Sequence, residues 1–238
     1  MKHDFKIFIG WDINQAEAAE VCAESIHRFT GNEVPINFIE RDKLQMKGLY
    51  WRPHDSRQST EFAFTRFLTP YLAGYHGTAL FCDCDFFWRK DPRTILEYRD
   101  ERKPVQVVQH NLQSSDINNT KMAGKIQTFY PKKNWSSLML FNMDTPGNRL
   151  TCKRLDPVSV SEAPAHWLHG MEWCCEYMEV EHGGLPKSFN HLVGYNGYDD
   201  PDPAAVHFTD GGPWLGGQYI DQPFSYEWLA LRDKAMLK

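Results

Sequence analysis

The sequence predicts an α/β fold with a mostly parallel central sheet flanked by helices, and three observations carry the prediction. Short apolar runs such as Lys6–Gly10 and Ala79–Phe81 read as strands buried on both faces, the kind found inside a parallel sheet. Stretches with helical spacing alternate with them, the pattern of strand–helix–strand units. At 238 residues, with 42% apolar and 14% aromatic side chains, the chain suffices for one such domain with a sizeable core. A single domain over 1–238 is expected.

Lys6–Gly10 is the first strand. Asn14 with Glu17 three residues on is a capping-box pattern, and it starts a helix to about Phe29. Ala18, Val21, Cys22, Ser25, Ile26 and Phe29 form the buried stripe of that helix. Pro35–Glu40 is a second strand and Lys43–Gln58 a polar loop. Ser59 or Thr60 starts a helix with Phe64, Phe67, Leu68 and Tyr71 inward. Asp91-Pro92 caps a helix to about Tyr98, since proline suits the first helical position. Val105–Gln109 and Leu138–Asn142 are further strands. Between them, residues 111–133 are polar and aperiodic, and a connection that long suggests a binding loop or lid. Pro146–Leu155 and His166–Val180 read as helices, Ala204–Phe208 as a late strand and Phe224–Leu237 as a closing helix.

The net charge of −5 is mixed in sign, which argues against a protein built to coat nucleic acid. The six cysteines include no Cys-x-x-Cys pair, so buried reduced thiols are expected rather than a thiolate zinc site. The N-terminus lacks the apolar core of a secretion signal, and no run approaches membrane-spanning length. A cytoplasmic protein without a transmembrane segment is the expectation.

The chemistry concentrates in Thr78–Lys90, where the buried run leads into Asp83 and Asp85 and then into Phe86, Phe87 and Trp88. Carboxylates at i and i+2 of an extended chain point to the same side. At the carboxyl end of a strand they open into the crevice where α/β sheets bind ligands. Two carboxylates facing one crevice repel unless a cation sits between them, and oxygen ligands suit Mg²⁺ or Mn²⁺. A solvated acidic turn is the plainer reading of an isolated Asp-x-Asp. The buried run before the pair and the aromatics after it favour a metal. Asp12, in the turn after the first strand, either holds a nucleotide or caps the helix. Arg66 is either a surface arginine or a clamp on phosphate or sugar. His207 ends the late strand, ahead of Thr-Asp-Gly-Gly-Pro-Trp.

The order of these motifs resembles the GT-A-fold glycosyltransferases, above all the glycogenin-like group, family 8 and its relatives. The motifs are a first strand ending in Asp-x-Asn, an aromatic-x-Arg helix, a buried strand into Asp-x-Asp and a late His…Pro-Trp. The resemblance runs from about Lys6 to Trp214. It implies that Asp12, Asn14, Arg66 and Asp83 hold the nucleotide sugar, and that Asp83, Asp85 and His207 are metal ligands. It also implies that Glu172 is the catalytic carboxylate beneath the anomeric carbon. Trp135, Asn190, His191 and Trp214 are the implied walls of the sugar and acceptor pocket. Where the family carries lysine before Pro-Trp, Gly212 stands here. Gly211 and Gly212 then become candidates to hold the diphosphate through backbone N–H groups, with Lys132, Lys133 or Arg66 as substitutes. Trp135-Ser136-Ser137 stands where the family has Asn-Ala-Gly, so donor choice does not carry over.

The implied activity is transfer of a hexose from a nucleotide diphosphate sugar, a UDP-sugar by resemblance, to a carbohydrate or other hydroxyl acceptor with retention. Mn²⁺ or Mg²⁺ is the implied cofactor. An inverting enzyme would instead use Glu172 or Asp210 as base. Two alternatives remain. One is a non-catalytic relative that binds nucleotide sugar. The other is a sugar-nucleotide pyrophosphorylase, although no glycine-rich loop follows Lys6–Gly10.

Overall fold

A computed structural model describes residues 4–54, 58–112, 120–121, 125–126, 132–175 and 183–236. Strand β1 (Phe5–Trp11) is largely buried on both faces, as its apolar run requires. Asp12 follows it and accepts a hydrogen bond from Asn14 N–H, starting a single 3-10 turn that leads into helix α1 (Ala16–Thr30). Gly31, at φ 52°, ends the helix, in backbone space that glycine enters at little cost. Strand β2 (Ile36–Glu40) runs parallel to β1.

Two stretches depart from expectation here. The loop read over Lys43–Gln58 begins as helix α2 (Arg41–Met46), because Leu44 finds a buried seat among residues of good helix propensity. The long helix read from Ser59 is instead a series of turns, a 3-10 segment (Thr65–Leu68) and the short α3 (Thr69–Leu72). Pro70 cannot donate to the carbonyl four residues back. That carbonyl, of Arg66, accepts the Thr69 hydroxyl at 2.7 Å.

Strand β3 (Thr78–Cys82) is wholly buried and β4 (Phe86–Trp88) follows after a turn. Asp91 caps the 3-10 helix Pro92–Tyr98, where an α-helix was expected. After β5 (Val105–Val107) come the paired fragments β6 (Thr120–Lys121) and β7 (Lys125–Ile126). Most of the segment read as a binding loop or lid over 111–133 lies outside the described residues. Strand β8 (Leu138–Asn142) and α4 (Pro146–Cys152) lie where expected, and α5 (Pro157–Glu162) is an addition capped by Asp156. The helix read over His166–Val180 is broken into α6 (Ala165–His169) and α7 (Glu172–Cys175). Met171, at φ 56°, makes the break, and the stretch after 175 lies outside the described residues. Strands β9 (Gly183–Gly184), β10 (His191–Leu192) and β11 (Ala205–His207) precede the closing helix α8 (Ser225–Met236).

The strands form a six-stranded sheet in the order β2-β1-β3-β8-β5-β9. Only β8 runs against the others. The mostly parallel sheet is therefore as predicted. β4 leaves it and joins a small sheet ordered β10-β11-β4. That sheet packs on α1 and α8 through Val21, Phe87, Val206 and Trp228. The chain thus crosses from one sheet to the other in the turn that carries Asp83 and Asp85, while β11 brings His207 opposite Phe86. Among the described residues no helix is long and apolar enough to cross a membrane.

Candidate metal centre and adjoining cleft

Asp83 and Asp85 stand in the turn after β3 rather than on the strand itself. Their backbone is anchored on both sides, Asp83 N–H donating to Ser137 C=O at 2.9 Å and Asp85 C=O accepting Phe208 N–H at 3.0 Å. The first anchor is the end of β8, the second the end of β11. With those anchors set, ligand atoms of Asp83, Asp85 and His207 lie within 4.8 Å of one another. All three residues are buried.

The histidine is oriented for ligation. Its Nδ1 lies 2.9 Å from Asn190 Oδ1, and the Asn190 amide N–H donates to Ser137 Oγ at 2.9 Å. Asn190 Oδ1 is thus the acceptor and Nδ1 carries the proton. Nε2 then presents its lone pair on the side where Asp85 Oδ1 stands at 3.3 Å. The ring stacks on Phe86, centroids 4.5 Å apart. An imidazole fixed by a hydrogen bond at its far nitrogen is the usual arrangement of a metal-bound histidine. Two carboxylates and one such imidazole fit a divalent cation of the Mn²⁺ or Mg²⁺ type.

Arg66 is not on the surface. Its guanidinium is buried, 2.8 Å from Asp83 Oδ1, and donates to Ser136 C=O at 3.0 Å. Asp12 is also buried. One of its oxygens accepts from Asn14 N–H and the Asn14 side chain, the other from Glu61 N–H at 3.2 Å. The capping residues Asp12 and Asn14 also line an open cleft of about 280 Å³ with Arg41, His54, Gln58, Thr60 and Glu61. Burial pushes the Cys84 thiol well up, and the carboxylates of Asp85, Asp83 and Asp12 add to the effect. Cys84 Sγ also donates to Gln15 Oε1 at 3.7 Å, which joins the turn of the two aspartates to the turn that Asp12 caps. Five cysteines are free and buried, as expected, and Cys175 lies outside the residues whose side chains are described.

The remaining candidates are more scattered. Trp135 is half-buried, its indole N–H donated to His110 C=O at 2.9 Å, with Lys132 Nζ over its ring. Asn190 orients His207 as described. His191 packs edge-on to Tyr198 and Phe224, and Trp214 packs between Phe208 and Trp228. Gly211, at φ 119°, already donates its N–H to Phe208 C=O at 2.9 Å. The Gly211 N–H is thus already engaged within the turn. A Cβ on Gly212 would meet the Trp214 ring at 2.2 Å, so packing also explains that glycine. Glu172 is half-exposed, 3.9 Å from His166 Nε2. No described contact ties it to the metal centre. His110 had no motif to mark it, and Ser137 was marked only as part of Trp135-Ser136-Ser137 and not as a partner of the centre, since both placements depend on how β8 and β5 lie beside β3.

No protein-family model matches the chain. Solved structures with the same fold include the bifunctional glycosyltransferase WbbM, with 14% identity and a TM-score of 0.64 over 98% of this chain. The glycosyltransferase GlyE of Streptococcus pneumoniae TIGR4 has 14% identity and a TM-score of 0.57 over 95% of the chain. The chain spans only 50% of WbbM and 59% of GlyE. An active-site mutant of LgtC matches with 13% identity and a TM-score of 0.56, over 96% of this chain and 95% of that one. These likenesses show the GT-A glycosyltransferase fold. Protein CDI of Arabidopsis thaliana is 39% identical over 232 residues, 96% of this chain and 86% of that protein. At that identity over nearly its whole length, the chain belongs to the family of Protein CDI, built on the GT-A glycosyltransferase fold.

Proposed function

We propose that this protein is a metal-dependent glycosyltransferase that moves a hexose from a nucleotide diphosphate sugar to an acceptor hydroxyl. A UDP-sugar is the donor we put first, and retention the stereochemistry. One observation carries the reading: Asp83, Asp85 and a pre-oriented His207 converge within 4.8 Å, next to the Asp12 cleft, on a GT-A fold. LgtC, a galactosyltransferase of similar fold, forms a complex with donor and acceptor sugar analogues, which supports both substrate classes.

In this reading the cleft lined by Asp12 and Asn14 takes the nucleoside, and Asp83, Asp85 and His207 would hold Mn²⁺ or Mg²⁺. A divalent cation bound there supplies charge neutralisation for the diphosphate. Arg66 holds Asp83 in place. The sugar's bond to the β-phosphate oxygen breaks and a bond to the acceptor oxygen forms, the acceptor's proton leaving with the diphosphate. Glu172 is the carboxylate that the family resemblance assigns to the positively charged sugar. Trp135, His191 and Trp214 are the proposed sugar and acceptor walls. Gly212 N–H, Lys132 and Lys133 are the groups proposed to face the diphosphate. Residues 1–238 act as one catalytic domain in this reading. A cytoplasmic location belongs to it as well, supported by the five buried free thiols, which suit a reducing compartment.

A panel of nucleotide sugars incubated with the protein and Mn²⁺ tests the reading through release of the nucleotide diphosphate. No release from any donor, with tight binding retained, would leave the non-catalytic alternative. Consumption of pyrophosphate would support the pyrophosphorylase instead.

A further inference from the structure

His110 follows β5 and is 4% exposed. Three of its polar groups can be traced. Its carbonyl accepts the Trp135 indole N–H at 2.9 Å, and its Nδ1 pairs with the Tyr198 hydroxyl. Its Nε2 is buried and has no hydrogen-bond partner among the described residues. Tyr198 is itself held, edge-on to His191 and beneath Lys187 Nζ, so the imidazole is pinned through Nδ1 while Nε2 stays buried and unpaired. Buried polar atoms without partners are few in native proteins, and each marks a place that something else completes.

The surroundings indicate what that is. Trp135, which donates to the His110 carbonyl, opens the 3-10 turn Trp135–Ser137, and Ser137 in that turn accepts Asp83 N–H and lies 3.5 Å from His207 Nδ1, so His110 is joined to the metal centre through one short turn. It is not a further metal ligand, since the atoms that converge within 4.8 Å belong to Asp83, Asp85 and His207. Burial keeps the imidazole neutral, and the charge of Lys187 acts in the same direction. With Nδ1 engaged by a phenol, Nε2 is left with either a proton or a lone pair to offer. A sugar hydroxyl both donates and accepts, and so satisfies either tautomer. A phosphate oxygen, which only accepts, is better served by a cation. Asn134, the residue before Trp135, carries a second buried atom without a described partner, its amide nitrogen. A polyhydroxylated ring offers partners of either kind to such atoms.

We propose that His110 binds, through Nε2, a hydroxyl of the hexose on the donor, and so helps to determine which sugar is accepted. This rests on the transferase reading and adds to it a residue that no motif marked.

The test pairs two substitutions that separate the two ring nitrogens. His110→Asn places an amide where Nδ1 meets Tyr198 and leaves nothing at the position of Nε2. His110→Gln reaches the position of Nε2. Titration calorimetry with Mg²⁺ compares UDP-glucose, UDP-galactose and GDP-mannose with UDP and GDP alone. The expected result is that His110→Asn weakens the preferred nucleotide hexose at least roughly tenfold, the scale of a lost hydrogen bond to a buried group. The free nucleotide should stay within about twofold, and His110→Gln should recover most of the loss. In the wild-type protein the imidazole ¹⁵N resonances of His110 should move with the nucleotide hexose and not with the free nucleotide. Equal weakening of hexose-bearing and free nucleotide would mean a structural role and overturn the inference. So would unchanged binding in His110→Asn, with the transferase reading intact. A wild-type protein that binds none of the five would overturn both readings.

Discussion

Arg66 Nη1 lies 2.8 Å from Asp83 Oδ1, with both side chains nearly buried. One carboxylate of the pair is thus neutralised by the protein itself, while Asp85 faces His207 across 3.3 Å. The two aspartates are one residue apart and face different partners. Removing one partner of a buried ion pair leaves the other charge without compensation, a cost of about 3–5 kcal/mol. Arg66→Ala should therefore lower unfolding stability by an amount in that range, measured by urea denaturation. Arg66→Lys should recover only part of it, because a lysine has no second nitrogen to replace Nε, which donates to Phe62 C=O.

Asn190 acts on the centre through His207. Asn190→Ala removes the acceptor at Nδ1 and frees the ring to turn or to change tautomer. Loss of such a partner typically costs about 10–100-fold in metal affinity. Mn²⁺ titration followed by electron paramagnetic resonance should show that loss while circular dichroism stays unchanged. Asn190→Asp, which keeps an acceptor, should retain more of the affinity.

How far these relationships were legible in the sequence differs by residue. Apolar runs gave β1, β3 and β8 correctly, because a strand buried on both faces has no other composition. Asp83, Asp85 and His207 were legible by motif order. Their separation was not, since it depends on β4 leaving one sheet to pair with β11 in another. Arg66 could not be told from a surface arginine, because the helical spacing around it does not become a helix. Pro70 and the turns before it replace that helix with a 3-10 segment that buries the guanidinium. Asn190, assigned to the sugar pocket, turned out to hold His207. Its partner Ser137 was marked only as part of Trp135-Ser136-Ser137, with no signal for this role. The break at Met171 was hidden because a positive φ at a methionine is imposed by packing and not by propensity.

Glu172 carries the least support from contacts, and its test is kinetic. If it stabilises positive charge on the sugar, Glu172→Gln should reduce kcat more than donor affinity. The expected slowing is at least roughly tenfold, about 1.4 kcal/mol of barrier. Product NMR should show the donor's own anomeric configuration. Normal turnover in the variant would leave Glu172 a surface acid paired with His166.

The neutral His110 ties stability to pH. Burial, with Lys187 adding to it, lowers its pKa to about 3, against about 6.5 in an unfolded chain. Between those values the unfolded state binds the proton that the folded state refuses. The contribution of the neutral ring is complete above pH ~6.5 and falls as pH drops toward 3, at up to ~1.4 kcal/mol per unit. Urea unfolding at pH 7, 6, 5 and 4 should show a shallower decline in His110→Gln than in the wild type.

The most direct measurement of the central claim is nucleotide diphosphate release from a panel of nucleotide sugars, with Mn²⁺ and then with EDTA, by the wild type and Asp85→Ala. The wild type should turn over one donor with Mn²⁺, stop in EDTA and recover when Mn²⁺ is restored. Asp85→Ala should be folded by circular dichroism and inactive with the same donor. Full turnover in EDTA, or an active Asp85→Ala protein, would contradict a metal-dependent transferase centred on Asp83, Asp85 and His207.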